Sequence, residues 1–297
     1  MQDIFFTKRT TLPTRTPDVL DRNYALLQKA EGYAYKTVNE RDLGAYVFKP
    51  QNHAMPEGGW PVAMFFCSSG WDHGLPSQFA PHALYLASRG MAGVLVDYRM
   101  KADFPECTPL DAMADARSAM RWVRAHAQDL GIDPDRVAGC GGSAGAHAIL
   151  SAAMLLDGDD PADDMSVSCV PNLLVLFSPA IDTGAKGVWQ DRFPDKLSAR
   201  KSNLMRQVRR KLPPMLLLHG TSDRVIAWEQ SERFCKKNRW RLNKCRLLTY
   251  RGQGHGFFNF NFDMNHYEIT LNELDNYLVE CGYLEPYPDE DGLPRLS

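Results

Sequence analysis

Near the middle of the chain, Gly141-Gly142-Ser143-Ala144-Gly145 forms a G-x-S-x-G pattern between an apolar run at 136–140 (RVAGC) and a helical segment. A serine in that context sits on a sharp strand-to-helix turn with its hydroxyl presented for attack, and its neighbours are small because the backbone passes close to itself. The start of a helix also favours developing negative charge. A serine hydroxyl needs a base to become a nucleophile, and the base needs an acid to orient it. Asp223 follows the apolar run at 215–219 (MLLLH), and His255 follows the run at 245–250 (CRLLTY), in a loop with glycines at 252, 254 and 256. Alone, an Asp after a strand is usually a turn residue and a His between glycines an exposed one. In the order Ser, Asp, His at three strand ends, the residues argue together for a triad of Ser143, Asp223 and His255. The matching oxyanion donors are the N–H of Ala144 and those of Ser69 and Gly70, in the loop 67–71 (CSSGW) after the run at 61–67.

These residues need a scaffold that brings strand ends together. The runs at 61–67, 91–98, 136–140, 173–177, 215–219 and 245–250 are almost continuously apolar, the mark of strands buried on both faces of a mostly parallel sheet. Segments 34–38 and 43–48 alternate better and predict an edge hairpin. Helices are predicted over 76–89, 108–130, 144–156, 227–242 and 266–281. The second has Thr108 as N-cap, Pro109 in first position and Gly131 as its stop. Strands alternating with helices imply one α/β domain over 1–297 with helices on both faces. Residues 181–213 interrupt the alternation as an insertion of cap type, and 285–297 read as a Pro-rich acidic tail.

Other features are weighed against this reading. Gly139, Gly141 and Ala144 also fit a dinucleotide fingerprint, which wants an acid closing the next strand about 20 residues on. Asp157, Asp159 and Asp160 lie at that distance, but in a polar loop, so no cofactor is expected. His147, one turn after Ser143, reads as a packing residue, and the acidic loop 157–165 reads as solvated. No histidine spacing suggests a metal. The insertion carries nine basic residues, Lys186, Arg192, Lys196, Arg200, Lys201, Arg206, Arg209, Arg210 and Lys211, against Asp182, Asp191 and Asp195.

From about Tyr33 to Leu284 the chain resembles α/β-hydrolase esterases whose oxyanion loop reads H-G-G-G-W, a group that includes acetyl and feruloyl esterases and carboxylesterases. Gly70-Trp71, Asp97-Tyr98-Arg99, Arg121-Trp122-Val123, Ile132-Asp133-Pro134, Gly141 to Gly145, His219-Gly220 with Asp223, and Gly254-His255-Gly256-Phe257-Phe258 carry the resemblance. It implies an α/β-hydrolase fold and hydrolysis of short acyl or aryl esters, among them acetyl or feruloyl esters of sugars. It also leaves room for an aryl formamide or amide hydrolase, or for a non-catalytic ligand-binding relative. Trp71 and, in the insertion, Trp189 are the candidate substrate-binding aromatics. The departure is Cys67-Ser68-Ser69-Gly70 in place of H-G-G-G. Because backbone N–H groups make the hole, the Ser68 and Ser69 side chains are expected to be dispensable.

Composition narrows the partners. With a net charge of -2, 44% hydrophobic and 24% charged residues, this is an ordinary globular chain with no bulk attraction to nucleic acid or anionic membrane. No apolar run approaches the ~20 residues that span a bilayer. Residues 1–16 lack the apolar core of a signal peptide, and the seven cysteines never pair as C-x-x-C. The expectation is a cytoplasmic protein, or an exported one if a leader has been removed, that acts on a small-molecule or oligosaccharide ester.

Overall fold

The computed structural model describes residues 8–9, 23–184 and 187–287; Lys186 and the tail beyond residue 287 lie outside them. Nine strands form one sheet in the order β1-β2-β3-β5-β4-β6-β7-β8-β9. They are β1 (Lys8–Arg9), β2 (Glu31–Val38), β3 (Arg41–Phe48), β4 (Trp60–Phe66), β5 (Ala92–Val96), β6 (Ile132–Gly142), β7 (Leu173–Phe177), β8 (Met215–Gly220) and β9 (Cys245–Tyr250). From β5 to β9 every neighbouring pair is parallel, while β1, β2 and β3 run antiparallel at one side. The predicted hairpin exists as β2 and β3, but it is not the edge. It joins the sheet through β5, and the short β1 lies outside it.

The helices are α1 (Tyr24–Leu27), α2 (Ala80–Ser88), α3 (Pro109–Ala125), α4 (Ala127–Leu130), α5 (Ser143–Met154), α6 (Lys196–Lys201), α7 (Glu229–Trp240) and α8 (Met264–Glu280). The predicted helix 108–130 is broken at His126, whose φ of -104° and ψ of 20° leave the helical region. Its start is as expected: Thr108 accepts from Leu110 N–H, and Asp111 closes a capping box. The front half of 76–89 is a 3-10 turn, Pro76–Phe79, where Pro81 withholds the amide that would bond the Ser77 carbonyl in an α-helix.

Alternate residues of each central strand feed two cores. Val62, Met64 and Phe66 of β4 join α3, α5 and α7 on one face, and Ala63 and Phe65 join α2 and α8 on the other. This two-sided burial explains the unbroken apolar runs. The sheet also places the ends of β4, β6, β8 and β9, with β7 between the middle two, along one edge, where the candidate residues lie. No helix among the described residues is long and apolar enough to cross a membrane.

Candidate active site

Strand β6 turns directly into α5 at Ser143, whose φ of 55° is a conformation that non-glycine residues rarely hold. Its neighbours show why the sequence must be small there. A Cβ on Gly145 would stand 2.3 Å from the Phe66 carbonyl oxygen and 2.4 Å from that of Cys67. One on Gly141 would meet Ala146 N at 2.8 Å. The turn therefore lies hard against the end of β4, beside the loop 67–71. The Ser143 carbonyl is held by Ala180 N–H at 3.1 Å.

The structure brings Ser143, His255 and Asp223 into one line. His255 Nε2 is 2.9 Å from Ser143 Oγ, and His255 Nδ1 is 2.7 Å from Asp223 Oδ2. The two supporting loops are zipped together: Ser222 N–H donates to Gln253 O at 2.9 Å and Thr221 N–H to Tyr250 O at 2.9 Å. A Cβ on Gly220 would meet Gln253 O at 2.3 Å, so only glycine lets them approach. Ser178 Oγ donates to the His255 carbonyl at 3.0 Å and fixes that loop from β7.

Asp223 is held by more than His255. Its Oδ1 accepts from Val225 N–H at 2.8 Å and Ile226 N–H at 2.9 Å, and its Oδ2 also faces His219 Nε2 at 3.0 Å. Burial alone would raise its pKa, but the hydrogen bonds from His219, His255 and Ile226 N–H outweigh it and hold the carboxyl well below the usual carboxylate range. Sequence reasoning did not single out His219 for this contact, because it closes an apolar strand and looks like one more buried residue of β8. Its spacing four residues before Asp223 was the available signal.

The loop 67–71 differs from what its sequence suggested. Neither hydroxyl is idle. Ser69 Oγ accepts from Trp71 N–H at 2.9 Å and pairs with Tyr98 Oη at 2.7 Å, and Tyr98 in turn donates to Cys67 O at 2.6 Å. Ser68 N–H donates to Gln78 Oε1 at 2.6 Å, and Gln78 Nε2 donates to Ser68 Oγ at 3.2 Å and to Asn259 Oδ1 at 2.6 Å. Asn259 then bonds the Gly256 carbonyl at 2.9 Å, so one glutamine ties this loop to the loop of His255. Both serine side chains, expected to be dispensable, thus hydrogen-bond within this loop and to its neighbours. The N–H groups of Ser69 and Gly70 meet no acceptor among the described residues, and that of Ala144 lies in the first turn of α5, where no intrahelical acceptor exists.

Trp71 and Trp189 are in edge contact, with ring centroids 5.4 Å apart. Trp71 is only 2% exposed and also packs on His147 and Phe193, which makes its ring a buried wedge; Trp189 is half-buried above it. His147 packs as expected: it is fully buried, bonds Ala180 O at 3.0 Å through Nδ1, and is kept neutral by burial that lowers its pKa to about 4. The acidic loop is not merely solvated. Asp159 pairs with Arg117 and Arg121, Asp160 with Lys36, and Asp163 with Arg121. Of the acids weighed for a dinucleotide fingerprint, Asp159 and Asp160 are thus committed to ion pairs.

A serine on a strained turn, a histidine and an ionised aspartate, each just after a strand of one mostly parallel sheet, define the class of α/β-hydrolases. Comparison with known proteins agrees. The BD-FAE family model matches residues 47–168. Solved structures of esterase 2 from Thermogutta terrifontis are similar over nearly their whole length: one has 35% identity, covers 88% of this chain and 98% of that one, and has a TM-score of 0.83. Among curated relatives, esterase LipC of Mycobacterium tuberculosis is 29% identical over 68% of this chain and 54% of its own. A probable isoprenylcysteine alpha-carbonyl methylesterase of Arabidopsis thaliana is 27% identical over 75% of this chain and 49% of its own. The chain spans about half the length of these two relatives. It belongs to the α/β-hydrolase esterases.

Proposed function

We propose that the protein is a serine carboxylic ester hydrolase acting on short acyl or aryl esters. The observation that carries the reading is the 2.9 Å contact of His255 Nε2 with Ser143 Oγ, backed by the 2.7 Å contact of Nδ1 with Asp223. Ser143 attacks the ester carbonyl while His255 takes its proton, and Asp223 keeps the imidazole in the tautomer with a free Nε2. Negative charge on the carbonyl oxygen falls to the N–H groups of Ala144, Ser69 and Gly70. His255 then protonates the leaving alcohol and activates the water that releases the acid. No step calls for a metal or cofactor.

Structures of the Thermogutta esterase hold propionate and butyrate, which supports a small acyl group here. The finer reading, acetyl or feruloyl esters of sugars, extends from the sequence resemblance. A panel of p-nitrophenyl esters of rising chain length, acetylated xylose, methyl ferulate and an aryl formamide, run on wild type and Ser143→Ala, tests both levels. Turnover of short esters that vanishes in Ser143→Ala is expected. Turnover of the formamide alone moves the reading to amide hydrolysis, and no turnover at all by a folded protein refutes it in favour of a ligand-binding relative.

A further inference from the structure

Arg192 closes the 3-10 turn Gln190–Arg192 in the insertion and lays its guanidinium on the loop 67–71. Its Nη1 donates to the Gly70 carbonyl. A Cβ built on Gly70 would lie 2.7 Å from Nη1 and 3.7 Å from Nη2, so the guanidinium fills the side-chain space that glycine leaves. Bond geometry then puts the cation within about 6 Å of the Gly70 amide, one of the proposed oxyanion donors. The head group is pinned from above by Trp189, with Cζ 5.0 Å from the ring centroid, and Trp189 is braced against Trp71.

What Arg192 lacks is an anion. No carboxylate among the described residues pairs with it, and two of the insertion's acids are turned elsewhere. Asp182 accepts from Asn203 and Gly184, and Asp195 caps α6 through Leu197 and Ser198 N–H. A guanidinium offers five N–H donors and is never deprotonated, and the Gly70 carbonyl occupies one. The surrounding insertion is itself strongly basic. A fixed, half-buried, uncompensated cation beside the oxyanion donors has the chemistry to hold an anionic group of the substrate.

We propose that Arg192 reads charge on the substrate: the protein prefers esters that carry a carboxylate a few atoms from the scissile carbonyl, and the unused N–H groups of Arg192 bind it. The inference rests on the ester-hydrolase reading above and names its substrate class. The experiment compares kcat/KM within two matched pairs, on wild type, Arg192→Lys and Arg192→Gln. Para-acetoxybenzoate against para-acetoxybenzamide puts the charge on the leaving side, and monomethyl adipate against methyl hexanoate puts it on the acyl side.

Wild type should favour the anionic member of one pair by about tenfold or more, the scale of a charge-assisted hydrogen bond. Arg192→Gln should remove that preference, Arg192→Lys should keep part of it, and added salt should shrink it. A wild-type ratio near one in both pairs overturns the proposal while leaving the ester-hydrolase reading standing. So does an equal loss on both members in Arg192→Gln, which would mean that Arg192 only fixes the loop. No turnover of any of the four esters by folded wild type overturns both readings.

Discussion

Replacing His219 by leucine takes one proton donor from Asp223 and leaves Ser143, His255 and Asp223 untouched. His219 Nε2 faces Asp223 Oδ2 at 3.0 Å and the Ile226 carbonyl at 3.1 Å. Both are acceptors, so Nε2 carries the proton and Nδ1 accepts from Ser231 Oγ at 2.8 Å. The His219 and Asp223 side chains are both 0% exposed, so water cannot stand in for the lost donor. A hydrogen bond to a charged group contributes about 1.5–3 kcal/mol. If half of that is felt in the transition state, kcat falls roughly threefold to thirteenfold, and the unfolding free energy drops by a comparable ~1 kcal/mol or more. KM should hold, because His219 is enclosed and meets no substrate. Asp223 has a depressed folded pKa, so its contribution to stability is present above the ordinary carboxylate pKa and is lost as pH falls through the folded value. The stability gap between wild type and His219→Leu should therefore be widest near neutral pH and close in strong acid. Steady-state kinetics on a p-nitrophenyl ester and urea melts at several pH values measure both effects. His219→Gln, which keeps an N–H at similar reach, should recover most of kcat. A leucine variant with wild-type kcat and stability, or a glutamine variant as impaired as leucine, would refute the positioning role.

The other expectations follow from the same geometry. Asp223→Asn should lower kcat by about four orders of magnitude with KM little changed, since the imidazole is then held in the wrong tautomer; near-normal turnover would mean that another carboxylate orients His255. Ser69→Gly should lower kcat by about tenfold, because it frees Trp71 N–H and Tyr98 Oη from the loop they fix, and Tyr98→Phe should show part of the same loss; unchanged or raised kcat would refute the bracing role. His82 is fully buried among Phe65, Phe79, Phe177 and Tyr267, with neither ring nitrogen bonded to any of the described residues, and burial lowers its pKa to about 3. The unfolded chain takes up a proton below the ordinary histidine pKa while the folded one does not, so stability falls as pH drops from about 6.5 toward 3. His82→Leu should flatten that fall by on the order of 2 kcal/mol between about pH 6.5 and 5 in urea melts, and a fall as steep as wild type's would contradict it.

The parts of the site that sequence exposes are those whose constraints are local. Gly141, Gly145 and Ser143 announce themselves because the chain cannot make that turn, with β4 so close, using larger residues. Asp223 and His255 are legible through chain order and their places after apolar runs. The parallel sheet is legible because burial on both faces leaves no polar alternation. What pairs across distance was not. Gln78 and Asn259 are 181 residues apart, and nothing near either one marks the bond that couples their loops. Ser68 and Ser69 looked dispensable because a hydroxyl's partner, Tyr98 or Gln78, is set by packing and not by spacing. The acidic loop was misread for the same reason, since its composition does not tell that Arg117, Arg121 and Lys36 stand opposite. Arg192 was hidden in a run of basic residues, and only its contact with Gly70 separates it from them.

The central claim is that Ser143 is the nucleophile, and covalent labelling tests it most directly. The Thermogutta esterase is phosphorylated by paraoxon, so the same reagent suits this chain. Intact mass after exposure should rise by a single diethylphosphoryl group, and peptide mapping should place it on Ser143, with loss of esterase turnover in step with labelling. Ser143→Ala should take up none. An adduct on another residue, or full labelling of Ser143→Ala, would contradict the account.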